Sequence, residues 1–400
     1  MQPTSKKQKI IFFSYLFVFL GLLFYSFTQI DLGLVISRYS FIYKIEKAFQ
    51  YIGYFNRPLS TVIYLLLLLG LTSLYIFCLR LAEEKKLDKR FLWKIIISGV
   101  IVLFLSYNAF SYDLFNYLFD AKIITYYHAN PYIHKALDYP GDPTLAFMHW
   151  THRAYPYGPV WLVLTVPLSF VGLQLFLPTL YLFKLLMVAS YLGSLFYIGK
   201  IFQRIKPEKE LFGLVFFGLN PLVLIESLVS AHLDIVMMFF SLLAFYFLLE
   251  KNHIRSYLFI MLSIGVKFLT VLLLPVALSI SFLQFQKKRM NWDVLFGCSL
   301  VLLIIGVLIE TYQSGNFQPW YLLAPLSFAV FLSQKYYILI PSVTISVVSL
   351  LLYAPYLYLG NWNPPVPQIL SATLWVSYII SFIFVTLYFR YKRSVFHHHK

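Results

Sequence analysis

Charge is scarce in this 400-residue chain: only 12% of its residues are Asp, Glu, Lys or Arg, while 60% are hydrophobic and 20% aromatic. That balance excludes an ordinary soluble domain and an intrinsically disordered chain, and it places the sequence in the polytopic membrane class. Cysteine is scarcer still, with Cys78 and Cys298 both in or at the end of apolar runs, so neither a disulfide framework nor a cysteine metal site is expected. No long Gly/Ser linker separates domains and no internal repeat is evident. There is also no HExxH motif and no nucleophile elbow, which leaves an intramembrane metalloprotease or hydrolase without support. A cleaved leader is not expected either, because the first apolar run, residues 10–30, is long enough to cross about 30 Å of hydrocarbon and lacks a small-residue cleavage site.

What charge there is leans positive, with 32 Lys and Arg against 16 Asp and Glu. These cations sit in short connectors between apolar runs and form no single face, so they read as orientation signals and not as a nucleic-acid surface. By the positive-inside rule the N-terminus, residues 80–94, 251–255, 287–289 and 390–400 face the cytoplasm, joined by 200–209. Residues 31–59, 106–159, 230–234, 310–320 and 359–368 then face outward. The expected location is a membrane, taken as a prokaryotic plasma membrane with both termini cytoplasmic and the active site outside.

Apolar runs fall at residues 10–30, 60–80, 94–112, 158–176, 178–200, 211–229, 233–250, 255–284, 293–311, 320–334, 337–358 and 368–389. They predict an all-α polytopic protein of about 11 to 13 transmembrane or re-entrant helices, since a closed barrel would alternate in ten-residue segments. Residues 1–400 form one integral membrane domain in this reading. Two places resist simple counting. The stretch 159–200 is too long for one span, yet two spans would put residues 200–209 outside. The stretch 254–283 carries Lys267 near its middle and suits a helix pair rising to that lysine and returning. Residues 31–58 mix basic and apolar positions and suggest an amphipathic surface helix beside the main polar loop.

That main loop, residues 106–161, holds four Asp, four His and Arg153. Within it Asp113, Asn116, Tyr117 and Asp120 repeat at helical spacing opposite Leu114, Phe115, Leu118 and Phe119, which predicts an amphipathic helix with both acids on one face, about 10 Å apart. Asp113 is expected to follow directly from a span, where partial desolvation would suit it to act as a general base; the alternative is a helix-terminal acid satisfied by backbone N–H groups. Tyr157 and the Asn130-Pro131-Tyr132 corner, with His149, His152 and Arg153, offer polar contacts to a hydroxylated, phosphate-bearing ligand. Ionisable groups at membrane depth point the same way, namely His232, Asp234 and Lys267. Lys267 suits a lipid phosphate, or else pairs with Asp234 or Glu226. Gln318 and Trp320, with Glu310, complete the outer ring.

The order YDLFNYLFDAKI, NPY, DP, YPYGPVW, NPLVLIESLVSAHLD, GVKFLTVLLLP and FQPWYLL, over residues 106–321, resembles the GT-C superfamily of membrane glycosyltransferases, and within it the polyprenyl-phosphate-mannose-dependent mannosyltransferases. The resemblance implies transfer of one sugar from a polyprenyl-phosphate carrier to a glycan, glycolipid or protein acceptor, with no nucleic-acid partner. It carries the catalytic base to Asp113 and a second acid to Asp120. It matches His232 and Asp234 to the family's His-x-Asp at the cavity and Lys267 to its lysine near the donor phosphate; with the reading of the residues themselves, His232, Lys267 and Arg153 are the candidates for the donor phosphate, and Asp234, Asn130, Tyr132, Tyr157, His149, His152, Gln318 and Trp320 those for substrate. No metal ligand is assigned and no cofactor is called for; because Leu114 and Phe115 follow Asp113 where an Asp-x-Asp pair would stand, use of Mg or Mn stays open. A transporter or glycolipid flippase, and a non-catalytic assembly subunit, are the rival functions.

Overall fold

The computed structural model describes residues 5–37 and 39–397; Arg38 and the last three residues of the basic tail lie outside the described residues. Among the described residues there are helices and turns but no strand, and the protein is a polytopic all-α membrane protein. Among the described residues seven helices are long and apolar enough to cross a bilayer, and the pair Pro207–Gly218 and Pro221–Val229, bent by 57°, is a broken span or a re-entrant loop. Four shorter apolar helices, Pro159–Val171, Asp234–Leu249, His253–Val266 and Pro319–Leu332, complete the set. The outer faces stay apolar: Phe17, Leu66 and Phe382 are among the large side chains left exposed, as lipid contact requires.

Ion pairs tie one end of the bundle together. Lys89 meets Glu210 at 2.7 Å, Arg204 meets Glu250 at 2.8 Å, and Asp293 is held by Lys206 and, at 3.3 Å, by Lys335. Helices that leave this end deliver their far termini to the opposite one. Lys89–Phe104 leads toward Asp113, the bent pair that begins near Glu210 leads to His232, His253–Val266 leads to Lys267, and Trp292–Ser314 brings Glu310. Asp113, His232, Lys267 and Glu310 thus gather at one end, with the ion-paired connectors at the other.

The two awkward stretches resolve differently. Pro159–Val171 is 13 residues, about 20 Å of helix at 1.5 Å per residue and too short to span. It lies along Asp113–Thr125 instead: Tyr117 and Trp161 meet edge to face at 5.3 Å, Thr125 and Ser169 share a 3.0 Å hydrogen bond, and Gln174 donates to the Thr125 carbonyl. The expected span at 158–176 is therefore corrected to a non-spanning helix, and Phe176–Ile205 makes the single crossing. The stretch around Lys267 is a helix pair as expected. Its hinge is the extended Lys267, and its far ends meet where His253 and Tyr257 bond Ser281 at 3.0 and 2.8 Å.

Residues 40–50 form the helix Ser40–Gln50, whose polar side faces inward. Glu46 accepts from the Ile36 N–H and Gln50 donates to the carbonyls of Ile30 and Asp31, while Phe41, Ile42 and Ile45 are exposed. An amphipathic helix that presents its apolar face outward is built to lie in a membrane interface.

Lys184 shows how the frame fixes the loop that follows it. Buried within the Phe176–Ile205 span, its ammonium donates to the carbonyls of Leu103 and Ser106 and to the Ser106 hydroxyl. The Leu103 carbonyl also accepts from the Ser106 N–H and hydroxyl, so the lysine joins a hydrogen-bonded terminus of Lys89–Phe104 and adds a donor for the Ser106 carbonyl just beyond it. Lys184→Met is expected to cost about 1–3 kcal/mol, read as a lower unfolding temperature in detergent than that of wild type.

Candidate active site

Asp113 opens the helix Asp113–Thr125. It does not follow directly from a span, as the sequence suggested: Lys89–Phe104 ends first, and residues 105–112 fold back through a turn in which Asn108 bonds the Ser111 carbonyl. The helix is also not amphipathic in the sense expected, because both faces are covered. Leu114, Phe115 and Phe119 pack into the core, and Asn116 and Tyr117, on the face shared with Asp113, are buried too. Its polar side therefore looks into the protein, not into solvent.

Four groups act on the Asp113 carboxylate. Arg153 Nη2 lies 4.0 Å from Oδ1, His232 Nδ1 lies 3.7 Å from Oδ2, and Asp234 and Lys267 act on it through space. Burial raises the carboxyl to about 6, against the pull of Arg153. Asp120, one face along, is pushed by burial to about 8, again opposed by Arg153. The first acid is thus mostly ionised at neutral pH and the second mostly protonated. Arg153 itself lies beside the Trp150 ring, 5.2 Å from its centroid, with 43% of its side chain exposed, so it can meet a ligand from outside.

His232 is completely enclosed. Its ring stacks on Trp320 at 3.9 Å between centroids, and Nε2 faces Glu226 Oε2 at 3.3 Å. Burial, with the nearby positive Lys267, holds the imidazole well below its usual range and keeps it neutral. The resemblance implies a donor-phosphate role for this ring; its two nitrogens face the carboxyl groups of Asp113 and Glu226. Glu226 in turn accepts from Tyr353 Oη at 2.9 Å.

Lys267 is held by Asp234 at 2.8 Å and Glu310 at 3.1 Å, 4.8 Å from the centre of the Tyr321 ring. Of the two expected partners only Asp234 is used, because Glu226 is spent on His232 and Tyr353. The loop before Pro159 crosses directly beneath this lysine: the Gly158 N–H donates to the Val266 carbonyl, and a Cβ on Gly158 would sit 2.2 Å from the Gly265 carbonyl oxygen. Only glycine fits that crossing, so the YPYGPVW sequence is what joins the main loop to Lys267.

The remaining sequence candidates divide. Tyr157 packs on Tyr117 at 5.4 Å, within the electrostatic reach of Asp113. Asn130 accepts from the Tyr132 N–H, and the Tyr132 hydroxyl donates to the Tyr157 carbonyl, so this corner shapes the loop. His149 stacks on Tyr112 at 3.6 Å and points toward Asp31 at 4.0 Å, away from Asp113, while His152 is exposed beside Trp150. Gln318 starts the turn that places Trp320 on His232. Sequence reasoning missed Tyr353, one of 32 tyrosines with nothing local to mark it. Among the described residues no group of three or more His, Cys, Asp or Glu converges as a metal site.

A family model described as "Alpha-(1->6)-mannopyranosyltransferase, N-terminal domain" matches residues 19–282. No curated protein and no solved structure matches the chain.

Burial of Asp120 yields a stability test. A carboxyl whose folded value is raised favours the native state below its unfolded value near 4, and that contribution is lost as pH rises toward about 8. Asp120→Asn should therefore unfold at a higher temperature than wild type at pH 9, with the difference shrinking toward pH 5, in paired melts in detergent.

Proposed function

The chain belongs to the alpha-(1->6)-mannopyranosyltransferase family, and from that premise we propose that it is a GT-C-type enzyme moving one mannose from a polyprenyl-phosphate carrier to a glycan or glycolipid acceptor. Asp113 is the general base. One observation carries this reading: a buried carboxylate, ionised near neutral pH, lies beside an exposed guanidinium at the end of the bundle where the polar groups gather. The acceptor hydroxyl loses its proton to Asp113 as its oxygen attacks the anomeric carbon, and the bond from that carbon to phosphate breaks on the opposite side. Arg153 takes the developing phosphate charge, because its fork can bind two oxygens and its side chain is open. Lys267, closed by Asp234 and Glu310, fastens the helices around the site, and Tyr157 and Trp320 help shape the sugar site.

The carrier is lipid-linked in this reading because the site abuts an apolar groove. A hollow of about 500 Å³ runs between the helices Trp292–Ser314, Tyr336–Leu351 and Val366–His397; its lining includes Leu308 and Thr311, on either side of Glu310 in the chain, and Phe317 and Leu322, on either side of Trp320. A polyprenyl tail fits there with its phosphate toward Arg153. In this reading the basic connectors at the ion-paired end support a cytoplasmic position for that end by the positive-inside rule, and with it a site on the outer face of the membrane. Family membership favours transfer over a transporter or a non-catalytic subunit.

Two measurements test the proposal. With a polyprenyl phosphomannose donor and membrane glycan acceptors, wild type should release free polyprenyl phosphate, and Asp113→Asn should lower kcat by about 10²- to 10⁴-fold while donor binding persists; undiminished turnover would remove Asp113 as the base. Wild-type kcat should also rise with pH to a plateau above about 6, as the base loses its proton. For the groove, Ser342→Phe should raise KM for a long-chain donor and leave that for a short-chain analogue unchanged, since each buried methylene displaced is worth about 0.8 kcal/mol; an equal effect on both would place the tail elsewhere.

A further inference from the structure

Behind Asp113 lies a line of enclosed groups that the proposed reaction does not yet use. We infer that His232, backed by Glu226 and Tyr353, is a positioning residue that receives the reaction's proton from Asp113. The inference rests on the proposed role of Asp113 and deepens it.

The geometry is a single file. Asp113 Oδ2 faces His232 Nδ1 at 3.7 Å, His232 Nε2 faces Glu226 Oε2 at 3.3 Å, and Glu226 Oε1 accepts from Tyr353 Oη at 2.9 Å. Both ring nitrogens and Glu226 Oε2 are buried without a hydrogen-bond partner. Three adjacent unpaired polar atoms in an enclosed site are costly, of order 1–3 kcal/mol each. They are tolerated where function needs them.

The ring cannot turn away. Trp320 covers its face, the His232 N–H donates to the Glu226 carbonyl at 2.9 Å, and Ala231, at φ 56°, makes the turn that lays His232 back over the π-helical stretch Ile225–Val229. A neutral imidazole has one N–H and one lone pair. With the N–H on Nε2 toward the Glu226 carboxylate, the lone pair on Nδ1 points at Asp113.

The proton ledger closes on these atoms. The acceptor O–H breaks and an O–H forms on Asp113, while the acceptor oxygen bonds the anomeric carbon and phosphate departs with the electron pair. The Asp113 O–H then breaks and Nδ1–H forms while the Nε2–H passes to Glu226 Oε2, so the ring stays neutral and Asp113 is ionised again. When products leave, the proton returns through Asp113 to water. The 3.7 Å gap is a resting distance, of the kind that tightens when reactants fill a site. The relay keeps Asp113 from handing its proton back to the new glycosidic oxygen.

The test compares wild type with His232→Gln, Glu226→Gln, Tyr353→Phe and the double variant Asp113→Asn/His232→Gln. Each single variant behind Asp113 should lower kcat, by at least about tenfold for His232→Gln, with the donor KM unchanged. The double variant should be no slower than Asp113→Asn alone, since a group that acts through Asp113 has nothing to add once it is gone. A further loss in the double variant, or a loss that appears in KM alone, would overturn the relay. A second readout needs no turnover: in ¹⁵N-histidine NMR of the protein in micelles, the signal that disappears in His232→Gln should report an N–H on Nε2 and change tautomer in Glu226→Gln. An unmoved signal would overturn the relay on its own. If wild type transferred no mannose, the proposed function would fail, and the NMR comparison would still decide whether His232 is coupled to Glu226.

Discussion

An ion enclosed by apolar helices has to be matched locally, and that requirement shapes the whole end of this bundle where chemistry is proposed. Lys267 has Asp234 and Glu310; Asp113 has Arg153 and His232; Lys184 has the carbonyls of a helix terminus. Removing one partner from such a set strands the other in a low-dielectric setting, which is why these pairs cost more to break than surface pairs are worth. The helices are positioned to make the matches. The break at Lys267, the π-helical stretch before His232 and the short helix Pro159–Val171 are departures from regular spanning geometry, and each sits beside one of these ions.

The two sets differ in how they spend their charge. Around Lys267, two carboxylates meet one ammonium, so the set is closed and carries no positive charge left over for a ligand. Around Asp113, the nearest cation is at 4.0 Å and partly open to the outside, so the carboxylate is held but not consumed. A group that must accept a proton and give it up again needs that looser hold, because a tight ion pair would lower its proton affinity too far. The structure thus separates a fastening ion set from a working one, although both lie at the same end.

Much of this was legible in the sequence, and the reasons are specific. The spans are long apolar runs, and most of their bounds follow from composition alone. Lys267 stood out as the one charge in an apolar stretch, His232 and Asp234 as ionisable groups beside a span, and Gly158 as part of a rigid corner. What could not be read was partnership. Glu310 and Lys267 are 43 positions apart in the chain and Tyr353 and Glu226 are 127 apart, and no periodicity links them. The short helix Pro159–Val171 was misjudged for a related reason: a buried helix that packs on another helix has the same apolar composition as one that faces lipid, so hydropathy cannot tell them apart.

The same limit explains why His232 was first given to the phosphate. A histidine two residues before an aspartate, at the mouth of a span, has the right type for an anion ligand, and the sequence says nothing about which way its ring turns. Trp320, from a turn 88 positions later, decides that by covering the face of the ring and leaving its nitrogens aimed along the line between two acids. Burial then removes the positive charge on which phosphate binding would depend. A neutral imidazole between two carboxylates can move a proton but cannot neutralise a phosphate, whereas an exposed guanidinium can neutralise a phosphate but cannot take up a proton. The separate roles proposed for His232 and Arg153 rest on that difference in chemistry, with Asp113 between them at 3.7 and 4.0 Å.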